Sequence, residues 1–277
     1  MSLSPGLVAR PAAALVARGL AKHYGARHAV VDVSFAVRRG EVFGFLGPNG
    51  AGKTPTIRML VGLVRPTLVQ VTVGGWDLAT ERERALGRLG CIVESPDFYP
   101  YLSARENLAL LARMARMARP SPPPDDPERP SAPAAPAPRV DDPLERIDEV
   151  ADWVRIRERL EDRVSTYSLG MRQRLGIAQA LLGAPDVMVL DEPANGLDPA
   201  GIVELRRLLR RLADERGLAV FVSSHLLGEI EKVCDRIAIV HRGRALTEGT
   251  VEELTHGGQR TLESVFLDVT AGQTVGD

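Results

Sequence analysis

The feature that most constrains this chain is the octet Gly47-Pro-Asn-Gly-Ala-Gly-Lys-Thr54, which fits the pattern G-x-x-x-x-G-K-[ST]. A short apolar run, residues 42–46, leads into it and a helical pattern follows Lys53, so the spacing predicts strand, loop and helix in succession. Glycines let the backbone curl until successive N–H groups point inward at anionic oxygens, and the helix start adds its positive dipole end. Lys53 supplies a compact charge between β- and γ-phosphates, where the planar fork of Arg fits poorly. The choice is pointed, because the chain uses Arg for 32 of its 35 basic residues and keeps Lys at Lys22, Lys53 and Lys232 alone. Thr54 is placed to offer its hydroxyl to Mg²⁺. A nucleotide site follows from these residues, contributed by Gly47, Pro48, Asn49, Gly50, Ala51, Gly52, Lys53, Thr54 and Pro55.

Such a loop needs a parallel sheet behind it, and the rest of the chain supplies one. Residues 42–46, 91–93, 187–190, 218–222 and 237–240 are short apolar runs of the kind buried on both faces of a parallel sheet. Helical patterns lie between several of them, including Ile202, Leu205, Leu208, Leu209 and Leu212 on one face. The expected fold class is therefore α/β, a P-loop core with a mainly parallel sheet. Residues 29–37 and 69–73 read as strands of a smaller antiparallel sheet.

Ten of the 20 prolines fall within residues 120–143. Such a tract can neither donate regular backbone hydrogen bonds nor bury an apolar face, so it reads as a disordered surface insertion. Its flanks look helical: Ser103 and Glu106 offer a capping box to a helix running towards Ala118, and residues 146–163 resume with alternating charge. The expected organisation is a flexible extension over 1–14, one domain over 15–270 with an inserted helical subdomain at about 95–167, and a tail over 271–277.

Charge and hydropathy exclude other classes. Thirty-five basic against 36 acidic residues leave a formal charge of −1, which argues against attachment to nucleic acid or lipid by bulk charge. Arg206, Arg207, Arg210 and Arg211 cluster, but Glu204, Asp214 and Glu215 beside them make a solvated helix face. The longest stretch without Asp, Glu, Lys or Arg is the twelve residues 217–228, far short of the roughly twenty needed to cross a bilayer. Cys91 and Cys234 sit among Ile and Val and read as small core residues.

Residues 187–190 deliver Asp191 and Glu192 at the end of an apolar strand, the edge that faces the ligand in such folds. Asp191 is placed to hold Mg²⁺ through water and Glu192 to polarise an attacking water as general base. Upstream lies Tyr167-Ser-Leu-Gly-Met-Arg-Gln-Arg-Leu-Gly-Ile-Ala178, and the whole order resembles an ABC transporter ATP-binding subunit over residues 15–270. By that resemblance Tyr24 stacks on adenine, Ser168, Gly170 and Met171 belong to the signature that caps ATP held by the opposite subunit, and Asp198, in Asn195-Gly-Leu-Asp198, belongs to the loop joining two sites. His225 corresponds to the switch histidine near the γ-phosphate. His23, His28, His241 and His256 have no such support and are expected to be structural.

Four departures from the family pattern stand out. Glu94 replaces a Gln that senses Mg²⁺ and the attacking water, although a carboxylate can still approach the metal. Leu169 and Met171 replace Gly and Gln of the signature, and with residues 98–108 they make the chain most similar to ATP subunits of drug and peptide exporters of the bacitracin- and daunorubicin-resistance type. Pro55 replaces a hydroxyl residue and removes an N–H donor; its ring is tolerated in a first helical turn but biases Thr54 away from α geometry. Leu68-Val-Gln70 stands where the family has a Gly-containing turn.

The resemblance implies an ATPase using ATP and Mg²⁺, located in the cytoplasm on the inner face of the membrane. Two copies, or one copy and a paralogue, close head to tail and drive a separate membrane permease; no nucleic acid and no membrane span of its own are expected. The alternatives are a regulatory subunit with weak turnover, prompted by Pro55, and a soluble ABC ATPase acting outside transport.

Overall fold

The computed structural model describes residues 13–94, 96–117, 144–226, 228 and 231–271. The proline tract, the segment 1–12 and nearly all of the expected tail lie outside the described residues. Two sheets form the frame. The larger has the order β10-β9-β3-β8-β7-β6, built from β3 (Val42–Leu46), β6 (Leu89–Ile92), β7 (Val187–Leu190), β8 (Ala219–Ser224), β9 (Arg236–His241) and β10 (Arg244–Thr250). All its pairings are parallel except β9 with β10. The smaller sheet is antiparallel, in the order β2-β1-β4-β5, from β1 (Ala13–Tyr24), β2 (Arg27–Arg38), β4 (Leu68–Val73) and β5 (Trp76–Asp77).

The apolar runs explain the layering. Every residue of β3, β7 and β8 is buried, and alternate side chains serve opposite faces. Phe43, Phe45 and Phe221 face the smaller sheet and meet Phe35 with ring centroids 5.4 to 5.6 Å apart. Ile57, Met59 and Leu60 of α1 (Lys53–Leu60) close the same core. Val42, Leu46, Val220 and Val222 face the other way, where α5 (Leu169–Leu181) and α6 (Pro199–Arg216) cover them. Between α1 and β6 lies the short α2 (Arg82–Leu86).

The helical subdomain begins with α3 (Ala104–Met117), and its capping box is formed: Glu106 N–H donates to Ser103 Oγ at 3.1 Å and Ser103 N–H to Glu106 Oε2 at 2.7 Å. The expected helix over 146–163 is shorter. α4 (Ile147–Trp153) ends where Arg155 takes φ 57°, and a 3₁₀ turn follows at Arg157–Arg159; alternating charge promotes a helix but does not force it past a left-handed residue. Past β10 come α7 (Val251–Leu254) and α8 (Leu262–Ala271), the latter ending one residue into the expected tail. Strand β1 likewise starts inside the expected extension, with Ala14 buried.

Two smaller expectations, on Cys91 and on Thr54, are corrected. Cys91 is exposed, because β6 is the edge strand of its sheet, whereas Cys234 is buried as expected and burial pushes its thiol pKa up. At residues 68–70, where a departure from the family's turn was expected, β4 begins at Leu68 and pairs with β1. Thr54 is helical despite preceding Pro55, because α1 starts at Lys53.

Candidate functional site

The octet occupies the bend between β3 and α1, with each end pinned by backbone. Gly47 N–H donates to Ser224 O at 3.3 Å, and Ala51 accepts from Gly243 N–H at 2.8 Å. Two glycines are dictated by this placement. A Cβ on Gly47 would lie 2.3 Å from Val240 O, and Gly52 has φ 103° with Gly243 Cα only 3.2 Å from where a Cβ would stand. Gly52 is also the N-cap of α1 and brings no side chain to the first-turn N–H groups, which leaves those donors for a ligand.

Lys53 is buried, and its ammonium donates to Gly47 O at 2.7 Å and Pro48 O at 3.3 Å while pairing with Glu192 Oε1 at 3.2 Å. The other oxygen of Glu192 meets His225: Nδ1 lies 2.8 Å away, and the His225 N–H donates to it at 3.3 Å. One carboxylate thus links the end of β7, the helix start and the end of β8. Glu192 itself has φ 48°, a conformation that side chains avoid unless the surroundings hold them. Ser223 does the holding, accepting Glu192 N–H at 2.9 Å and donating its hydroxyl to Asp191 Oδ1 at 2.5 Å.

Asp191 Oδ2 accepts from Thr54 Oγ at 3.3 Å. The pair puts a hydroxyl and a carboxylate oxygen at one point beside the loop, the hard oxygen donors that Mg²⁺ prefers. Three-residue clusters of His, Cys, Asp or Glu suited to a metal do not occur among the described residues. Glu94 does not reach this pair; its carboxylate, mostly exposed, is held by Arg58 at 2.6 Å.

A cleft of about 440 Å³ runs over the loop, lined by Pro48, Asn49, Gly50, Gly52, Lys53, Thr54, Pro55, Glu192 and His225 together with Arg27, His28, Ala29, Asn195 and Arg242. The first nine include most of the expected loop and all three expected catalytic side chains, Lys53, Glu192 and His225, brought together from three segments. His28, expected to be structural, lines the cleft. Arg27 and Arg242 were not singled out in the sequence either; the available signal was Arg242-Gly243 between two apolar runs, which reads as a hairpin turn but says nothing of what the turn abuts. Ser223 was equally hidden, since a serine beside the switch histidine carries no mark of its partner.

Other expected residues stand apart. Tyr24 is half exposed at the end of β1, with Lys22 Nζ 5.3 Å from its ring centroid, and does not line the cleft. Ser168 caps α5 by accepting Met171 N–H at 3.3 Å, on an exposed corner. Beneath it Tyr167 is buried and donates to Arg159 O at 2.6 Å; burial pushes its pKa up to about 12, so the donor persists. Asp198 caps α6, accepting Gly201 N–H at 2.8 Å. A second hollow, about 260 Å³, joins Glu94, Leu169, Arg172 and Gln173 to Asp191, Glu192 and Asn195. Ser168, Gly170 and Met171 line neither depression.

Comparison with known proteins places this geometry in context. Residues 30–195 match the family described as ABC transporter. An ABC transporter ATP-binding protein of Bacillus subtilis, YhcH, is 46% identical over 236 residues, 85% of this chain and 70% of that protein. The bacitracin transport ATP-binding protein BcrA of Bacillus licheniformis is 41% identical over 249 residues, 90% of this chain and 74% of that one. A solved ATP-binding subunit of an ABC transporter superposes with a TM-score of 0.73 at 28% identity, covering 92% of this chain and 99% of that structure.

Proposed function

The chain belongs to the ABC transporter family and is an ATP-binding, ATP-hydrolysing transporter subunit, and from that premise we propose that it powers export of a drug or peptide through a separate membrane permease. Among the described residues no helix is long and apolar enough to cross a membrane; the separate permease is the partner that the family implies. The likeness to the bacitracin transport protein, together with the exporter-type residues around Leu169 and 98–108, supports the cargo class.

The single observation that carries the mechanism is the Glu192 carboxylate held between Lys53 and His225 beside the loop. ATP enters with its phosphates over the loop, and Lys53 exchanges Glu192 and the loop carbonyls for phosphate oxygens, a stronger charge-assisted contact. Glu192 Oε1 is thereby released to accept a proton from water as the water oxygen bonds to the γ-phosphorus. The bond from that phosphorus to the bridging oxygen breaks, and ADP leaves with the electron pair. His225 keeps Glu192 oriented and lies where it can sense the γ-phosphate. Thr54 and Asp191 would hold Mg²⁺, which when bound offsets charge on the β- and γ-phosphates.

Ser168, Gly170 and Met171 stand away from the chain's own cleft, which supports a head-to-tail dimer in which each signature caps the nucleotide of the other subunit. Tyr24 and Asp198 are assigned to adenine stacking and to the link between sites in that closed form. The weak-turnover alternative rests on Pro55, yet α1 keeps Thr54 within reach of Asp191, so hydrolysis is retained. In Glu192→Gln the proton acceptor is lost while the shape is kept. The expected result is a dimer on a sizing column with ATP and none without nucleotide; a monomer with ATP overturns the scheme.

A further inference from the structure

The turn between β9 and β10 has two residues, since His241 and Arg244 pair across it. Arg242 and Gly243 both take positive φ, 47° and 78°, as a tight two-residue hairpin turn requires. Asn or Asp is the usual first residue of such a turn, because a long side chain pays a steric cost there. An arginine in that place is a local rule broken, and broken rules of this kind concentrate where a side chain is needed for function.

The turn is also fixed against the phosphate loop more tightly than a hairpin end needs. Gly243 N–H donates to Ala51 O at 2.8 Å and Gly243 O accepts from Val31 N–H at 2.6 Å. Gly243 and Gly52 approach so closely that a Cβ on either would meet Ala29 O at 2.8 Å. Arg242 therefore has its backbone clamped beside the start of α1, and its side chain lines the cleft with Arg27, Lys53 and Pro55.

Charge gives the placement a purpose. The phosphates of a nucleoside triphosphate carry several negative charges, and Glu192 lies in the same cleft, so Lys53 together with a bound Mg²⁺ would still leave the ligand with net negative charge to offset. Pro55 removes one N–H from the first turn of α1. The geometry points to Arg242, with Arg27, as an affinity-determining cation pair for the polyphosphate of the bound nucleotide, offsetting the donor missing at Pro55. This rests on the reading of the cleft as an ATP site.

The test is ATP affinity of the full chain at low and high salt, measured calorimetrically. Arg242→Asn removes the charge while suiting the turn, and Arg242→Gly is a second variant that suits it too. Both are expected to bind ATP about tenfold more weakly at low salt, with a shallower loss of affinity as salt rises. Pro55→Thr added to Arg242→Asn is expected to recover a large part of the loss. ATP affinity unchanged in both Arg242 variants, or a salt dependence as steep as that of the unaltered chain, overturns the inference. Lys53→Ala is the control for the reading beneath it: if that variant binds ATP normally, the cleft is not the ATP site, whereas loss there with full binding in the Arg242 variants removes the arginine role alone.

Discussion

The starts of α1 and α5 are two helix N-termini with opposite designs. At α1 the cap is Gly52, which offers no side chain, and the first-turn donors open onto a cleft with Lys53, Glu192 and His225 around it. At α5 the cap is Ser168, whose hydroxyl already accepts the Met171 N–H, and the corner is exposed. An uncapped terminus walled by charge is ready for an anion within one chain. A capped and exposed one is stable by itself and becomes a ligand contact only when another surface closes on it. The difference is what the proposed head-to-tail dimer requires of each subunit: one terminus ready for its own ligand and one that waits for the partner's.

Breaking the α1 side should do the most damage. Lys53→Ala removes the buried cation that holds Glu192 and meets the phosphates, so ATP affinity is expected to fall by a hundredfold or more, on the order of 3 kcal/mol or above, with hydrolysis abolished; retention of binding near that of the unaltered chain contradicts the arrangement. Breaking the α5 side should leave that half intact. Ser168→Ala is expected to keep ATP affinity of the single subunit within about twofold but to remove the ATP-dependent dimer and most turnover, with a stability loss of about 1 kcal/mol from the lost cap in thermal unfolding. Equal loss of binding in the two variants would erase the contrast.

The smallest effect concerns the mounting of α5. Arg105 on α3 pairs with Asp148 on α4 at 2.8 Å, and this hydrogen bond lowers the Asp148 pKa below its usual 3.8. The sign follows: a depressed carboxylate pKa stabilises the fold above the unfolded value and is lost as pH falls through the folded one. Both groups are well exposed, so the contribution is a few tenths of a kcal/mol. Urea unfolding of Arg105→Ala is expected to show a slight loss at pH 7 that vanishes in strong acid below the depressed pKa; a loss that persists there assigns the effect to packing.

Much of this was legible before folding was considered. The octet, the Asp191-Glu192 pair and the apolar runs were readable because each depends on local spacing: glycines at a bend, carboxylates at a strand end, burial on two faces. The helix over 146–163 was overextended because charge alternation does not register the left-handed Arg155. Cys91 was misplaced because an edge strand and a central strand have the same apolar spelling, and only pairing order separates them. Arg242 and Ser223 were invisible because their placement depends on contacts between distant segments, the Gly243 N–H on Ala51 O beside the one and Asp191, 32 residues away, for the other.

By itself, then, the sequence determined that a phosphate-binding loop would sit on a parallel α/β sheet, and which family carries that order of motifs, because backbone conformation and burial are set by short-range residue patterns. Tertiary structure alone decided that Lys53 and His225 share Glu192, that Ser223 braces the two carboxylates, and that the β9–β10 turn abuts the loop. Those contacts join segments far apart in the chain, and their distances exist only once both cores have closed around β3 and β8.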